Sequence, residues 1–360
     1  MSTKLLSGLV ATLALGTTLV SAGQAGAAAT SNDTTAHGVV SSPSRLNGEA
    51  ARTLRGAGPV ANQEALAKYW TTATMKSARP DSQLPALRAA ARPTPTFRAT
   101  AADAAQTVRG PAGSVAPAAP KTTPKPAVTG QGAEAMAYSP SLPVGHSVAR
   151  TAGKVFFTSA GQNYVCSGTV VNSEGKSTVW TAGHCLSSGK QWHTNWVFVP
   201  NYYNGNAPYG YWYAKQLFTT NGWFNNNSDW ANDVGAAVMW RNSGGSRITD
   251  YLGGQGISWN KPLSYQHAFG YPQAAPFNGQ TLMAEQGYTY AGSPSGTIYM
   301  SNSMTGGSSG GSWLRDFNGS WGYINGHNDF KYNSLPNLMF SPYYGNQVAN
   351  LYNSVRNISS

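Results

Sequence analysis

Acidic side chains are scarce in this chain: 13 Asp and Glu stand among 360 residues, against 24 Lys and Arg. No carboxylate cluster and no H-E-x-x-H segment occurs, and the six histidines are scattered, so the sequence implies neither a metal nor an organic cofactor. Cysteine is rarer still, with only Cys166 and Cys185. In an exported chain an even count favours a disulfide. A bridge across these 19 positions would contribute roughly 3 kcal/mol in the loop-entropy model and would staple one local region. Long apolar runs are also missing beyond the N-terminus, so no later segment is a transmembrane candidate.

The one apolar run that does occur lies at the start. A lone cation, Lys4, precedes LLSGLVATLALGTTLV, and small residues follow with an A-x-A at Ala25, Gly26 and Ala27. Residues 1–28 therefore read as a secretory signal peptide, with Thr17 and Thr18 making the run poor as a membrane span. A secreted, extracellular protein is expected.

The formal charge of +11 is uneven: +1 over residues 1–29, +7 over 30–133 and +3 over 134–360. Nucleic-acid binding calls for a basic stripe interleaved with stacking aromatics. Here the cationic part is nearly free of aromatics and the aromatic part is nearly neutral, so no nucleic-acid partner is expected.

Composition also divides the chain. Residues 29–99 are polar and Ala/Arg-rich and read as a pro-region. Its one helical stretch is Asn62 to Lys76, where Ala65, Leu66, Tyr69 and Trp70 fall at helical spacing. Residues 100–133 form a Pro/Ala-rich linker unable to bury a core. Beyond them, residues 134–360 hold ten of the eleven tryptophans, used in short β-type runs such as GKVFFTS, NWVFVP and DVGAAVMW between turn signals. The final segment, Gly345 to Asn357, has Val348, Leu351 and Val355 at helical spacing. The pattern predicts an all-β barrel or sandwich closed by a C-terminal helix.

Three segments carry candidate chemistry. VWTAGHC runs from strand into small residues and sets His184 beside Cys185. NDVGAAVMW places Asp233 at the mouth of a buried strand, where a carboxylate can hold an imidazole in one tautomer; Asp229 competes, in a more polar, turn-like setting. TGGSSGGSW offers Ser308, Ser309 and Ser312, of which only Ser309 is flanked as G-x-S-G-G by Gly307, Gly310 and Gly311. A nucleophilic serine needs a base and backbone amides aimed at the developing oxyanion, which such glycines allow.

In the order His, Asp, Ser, these motifs resemble those of the chymotrypsin/trypsin superfamily, and their surroundings resemble secreted actinobacterial serine peptidases distantly related to glutamyl endopeptidases. The resemblance covers roughly residues 140–358. It implies a double six-stranded β-barrel with a C-terminal helix, a disulfide between Cys166 and Cys185, a triad of His184, Asp233 and Ser309, and an oxyanion hole from the amides of Gly307 and Ser309. Peptide or protein substrates and a monomer are implied as well. Ser308 replaces the acid that usually precedes the nucleophile, so activation is expected to unblock the site without burying a new N-terminal ammonium.

The base of the family's primary specificity pocket falls on Ser303, in a segment, YMSNSMTGG, without an acid. Cleavage after Lys or Arg is thus not expected. Asn325 and His327, on the strand after the nucleophile, are the expected pocket wall, which would suit Glu or an aromatic residue. A nucleophile elbow of the α/β-hydrolase type is excluded, since SWLRDFNGSWGY after Ser309 reads as a hairpin where that fold needs a helix. The competing reading from another class is an inactive peptidase-like protein whose Trp, Tyr and Asn-rich surface binds polysaccharide or protein.

Overall fold

The structure, a computed structural model, describes Met1 and residues 38–47, 59–89, 110–122, 124 and 146–360. The chain divides into two compact units. Met1–Asn32, and with it the expected signal peptide, lies outside the described residues apart from Met1. All that follows concerns Asp33–Ser360.

Six strands close the first barrel. In order around it they are Ala152–Ser159, Gln162–Val171, Thr178–Thr181, Gly235–Met239, Trp212–Thr220 and Thr194–Pro200, the last returning to pair with the first. Alternation on the strands sends every second side chain inward. Val155 and Phe157, Trp196 and Phe198, and Ala237 and Met239 meet in one apolar cluster. The second barrel combines two sheets. One runs Met283–Tyr288, Tyr265–Gly270, Ser312–Arg315, Tyr323–His327, Gly256–Trp259, and the other Tyr290–Ala291, Thr297–Ser301, Leu338–Pro342. They approach each other along Thr297–Ser301 and Leu338–Pro342, around Ala268, Ile298, Met300, Met304 and Trp313. This is the double-barrel, all-β class expected. The terminal helix Asn346–Val355 buries Val348, Leu351 and Val355, the residues whose spacing announced it.

Upstream segments are built into both barrels. Val39–Pro43 pairs antiparallel with Gln216 to Thr220. The single helical stretch expected over Asn62 to Lys76 is two helices, Pro59–Tyr69 and Thr72–Ser77. The break is set by Trp70, which is buried and donates its indole N–H to the Asn195 carbonyl at 2.6 Å, and by Thr71, whose side chain caps the second helix. Arg79–Pro80 then lies parallel to Tyr164 and Val165.

Part of the expected linker is likewise ordered into a sheet. Gly113–Val115 pairs with Ile257 to Trp259 as an edge strand, and Ala118 bridges to Gly254. An edge strand engages through main-chain N–H and C=O groups, so a composition too poor for a core does not prevent it. No helix among the described residues is long and apolar enough to cross a membrane.

Cys166 and Cys185 are bridged, closing a loop of sequence separation 19. Replacing both with Ala is expected to cost about 3 kcal/mol of unfolding free energy, read as a lowered denaturant midpoint at unchanged slope.

Candidate active site

Strand pairing brings the three motifs together. Gly235 pairs with Thr181, so the turn Gly183–Cys185 and the residue just ahead of the partner strand, Asp233, emerge at the same barrel end. His184 and Asp233 are both fully buried. Asp233 holds the histidine at two points: Oδ1 accepts the His184 backbone N–H at 2.7 Å, and Oδ2 accepts from Nδ1 at 2.8 Å. This fixes the ring and presents Nε2 outward from Asp233. Asp229, the competitor, instead accepts a side-chain hydrogen bond from Asn232 within its own turn.

Ser309 sits at the seam between the barrels. Its carbonyl accepts the N–H of Ser167, from the first barrel, at 2.7 Å, while Gly310 N–H donates to the Asn328 carbonyl in the second. Gly310 has φ +79°, and a Cβ there would collide with Thr181 Oγ1. Gly307, at φ +100°, would bring a Cβ to 2.7 Å from the Tyr271 carbonyl. Such tight approaches leave the run rigid, whereas its Gly/Ser composition by itself would describe a flexible linker.

The sequence did not point to the group that occupies this site. Asp81, from the N-terminal segment, places its carboxylate among the catalytic candidates. Oδ2 accepts the Ser309 hydroxyl at 2.6 Å and the His184 Nε2–H at 3.2 Å, and Oδ1 accepts the Gly307 N–H. With Nδ1–H given to Asp233 and Nε2–H to Asp81, His184 is the doubly protonated cation. Burial opposes that charge, but the Asp233 charge and the hydrogen bonds of Asp233, Asp329 and Asp81 raise its pKa well above the usual histidine value. Burial opposes the Asp81 charge too, and His184, Ser309 and Gly307 outweigh it to hold the carboxyl below the ordinary range.

The segment bearing Asp81 is anchored around it. Leu66, Trp70, Met75 and Ala78 are buried in the core, Tyr69 donates its hydroxyl hydrogen to Asn163 Oδ1 at 2.8 Å, and Gln273 Nε2 donates to the Ala78 carbonyl at 2.6 Å. Gln273 Oε1 in turn accepts from Lys154 Nζ at 2.7 Å, a buried amine whose pKa burial lowers to about 7.

The expected specificity residues fall differently. Ser303 is partly buried, and its N–H and hydroxyl donate to the Glu285 carboxylate, the hydroxyl at 2.5 Å. Thus an acid does approach the expected pocket base, from the strand Met283–Tyr288. Asn325 and His327 do not form an accessible wall. Asn325 is buried, donating to the Ser258 carbonyl at 2.9 Å, and His327 is fully buried with Nδ1 at 2.9 Å from the Tyr344 hydroxyl. Their placement in the strand Tyr323–His327 turns both into the protein. Asp329, two residues beyond His327, was also not anticipated; its buried carboxyl lies 3.3 Å from His184 Nδ1.

No protein-family model matches the chain, and no curated protein does. Among solved structures it is similar to the thermostable serine protease AL20 from an extremophilic microorganism, at 39% identity and TM-score 0.55 over 58% of this chain and 97% of that one. It is also similar to the protease Anisep from Arthrobacter nicotinovorans, at 40% identity and TM-score 0.55 over 58% of this chain and 97% of that one.

The clamp on Asp81 has a pH window. The lowered Asp81 pKa stabilises docking above the ordinary carboxylate range, and that contribution is lost as pH falls through the depressed value. The part of the His184 elevation due to Asp81 stabilises docking below the ordinary histidine pKa and is lost as pH rises through the raised value. Hydrogen-exchange protection of residues 59–89 in the intact chain, relative to the intrinsic rate at each pH, should be greatest between these limits and smaller on either side.

Proposed function

Since the chain belongs to the chymotrypsin-like serine peptidases and is a serine endopeptidase, we propose that His184, Asp233 and Ser309 are its triad and that residues 29–99 hold the secreted enzyme latent until removed. The observation carrying this reading is the Asp81 carboxylate, bonded at once to the serine hydroxyl, the imidazole and the Gly307 amide. A carboxylate there occupies the place of a substrate carbonyl and its oxyanion. It also keeps His184 protonated, and an imidazolium cannot act as a base. Latency is therefore both steric and electrostatic.

With the segment gone, Ser309 Oγ attacks the peptide carbonyl while His184 Nε2 takes its proton. The imidazolium, steadied by Asp233, returns that proton to the leaving amine. The amides of Gly307 and Ser309 hold the oxyanion, an interaction worth about 3–4 kcal/mol per donor in comparable sites. Water then attacks the acyl-enzyme, giving its proton to His184, and Ser309 is released. Substrates are peptides or proteins; the working unit is a monomer outside the cell that engages neither nucleic acid nor membrane.

A non-basic primary preference, for Glu or an aromatic residue, rests on the condition of the pocket acid. Glu285 already accepts from the N–H and hydroxyl of Ser303, and its charge favours the charged form of nearby Lys331, whose pKa burial nonetheless lowers to about 8. The acid is thus already engaged by hydrogen bonds from Ser303, unlike a free carboxylate awaiting a cationic side chain. The buried positions of Asn325 and His327 remove them from this argument. Peptide-library cleavage dominated by Lys or Arg would contradict the preference and assign Glu285 as the specificity acid.

Latency is tested with a serine-directed phosphonate on the intact chain. Asp81→Ala should label at least an order of magnitude faster than the parent, and Ser309→Ala should not label at all. A folded Asp81→Ala chain that labels no faster than the parent would overturn the role of Asp81. Absence of labelling in the processed enzyme would favour the inactive binding protein.

A further inference from the structure

Asp329 has no part in the three motifs, yet it shares the most buried corner of the site. Its Oδ1 lies 3.3 Å from His184 Nδ1, and Asp233 Oδ2 lies 2.8 Å from the same nitrogen, with all three side chains inaccessible to solvent. One ligand atom from each of the three residues falls within 4.8 Å of the others. Two carboxyl groups therefore compete for one N–H.

Asp233 wins that competition. It receives Nδ1–H at the shorter distance and the His184 backbone N–H as well, whereas Asp329 has only the longer 3.3 Å approach to that same shared nitrogen and no donor of its own among the described residues. Two ionised carboxylates that close, with one of them unsolvated and without a donor of its own, are not a stable arrangement in a buried site. A protonated carboxyl in the same position changes the balance, because its O–H needs an acceptor and the adjacent carboxylate is one. We propose that Asp329 is held as the neutral carboxylic acid and donates its O–H to Asp233, making it a positioning residue that keeps the Asp233 carboxylate aimed at His184.

The surroundings agree with a neutral Asp329. Burial, and then the charge of Asp233, drive its pKa well above the ordinary carboxyl range, with His184 opposing. The other titratable groups facing this corner do not supply a compensating cation. His327 is lowered to about 4 by burial and is neutral, Tyr344 is raised well above its usual value by burial, and Asp81 is an anion on the far side of the imidazole. Once residues 29–99 leave, the pair Asp233 and Asp329 carries one negative charge between them, enough to match the imidazolium formed during turnover. The backbone carbonyl of Asp329 lies 3.3 Å from Ser309 Oγ, so the same residue touches the nucleophile and backs the acid.

This inference rests on the triad proposed above, whose integrity phosphonate labelling of each variant checks separately. The test compares the processed wild-type enzyme with Asp329→Asn, which retains an N–H donor for Asp233, and Asp329→Leu, which removes it at similar size. For Asn, kcat should stay within about threefold and the acid limb of the kcat/KM pH profile should not move; for Leu, kcat should fall by about tenfold or more at little-changed KM. Infrared spectra should contain a protonated-carboxyl C=O band in the wild type that disappears in Asp329→Asn. An acid limb shifted down in the Asn variant, with no such band lost, would mean that Asp329 is an anion and would overturn the proposal. Unchanged kcat in the Leu variant would overturn it as well, by leaving the O–H without a function.

Discussion

The two hydrogen bonds from His184 to Asp233, one from the backbone and one from the ring, are the constraint on which the site depends. Neither partner could hold this geometry alone. Pairing of Gly235 with Thr181 delivers both residues to one barrel end, and the Cys166–Cys185 bridge ties the histidine turn to the neighbouring strand. Once the imidazole is fixed, the position of its free nitrogen decides where a nucleophile or an inhibitor must lie. The second barrel supplies the nucleophile through a loop whose glycines permit contacts that other residues would block, and the Ser167 N–H holds that loop across the seam.

The same constraint explains why one carboxylate can silence the site. Asp81 needs no large inhibitory surface of its own, because His184, Ser309 and the Gly307 amide already converge on a point suited to a negatively charged oxygen. The helices and the short strand around it have a different task, to carry that carboxylate to the point and hold it there. Their anchors are Trp70 on Asn195, in the first barrel, and Ala78 on Gln273, which is itself bonded to the Gly306 carbonyl beside the Gly307 amide.

What the sequence disclosed follows from how local each requirement is. His184, Asp233 and Ser309 were legible because each needs particular neighbours within a few residues: a strand end and a cysteine, a buried strand, glycines on both sides. The barrel strands were legible by alternation and the last helix by Val348, Leu351 and Val355. Asp81 was not, since its contact with Ser309 spans 228 positions and nothing in RPDSQL marks a carboxylate with a partner that far away. Asp329 was hidden for the same reason, whereas Glu285 lies only 18 positions from Ser303 and was hidden because their contact depends on how the intervening strands fold back. The expectation for His327 erred on side-chain direction: the strand register pairing it with Ser312 turns the ring toward Tyr344 in the interior. Gly113–Val115 was missed because edge pairing uses only the main chain.

Asp81 completes a buried pairing which keeps His184 charged in the intact chain. Nitrogen NMR of selectively labelled histidine reports that charge directly. Both ring nitrogens of His184 should remain protonated well above the ordinary histidine range in the intact chain, and this range should contract once residues 29–99 are removed. A His184 ring that is neutral at ordinary histidine pH in the intact chain, or one whose titration is unchanged by removal of the segment, would contradict it.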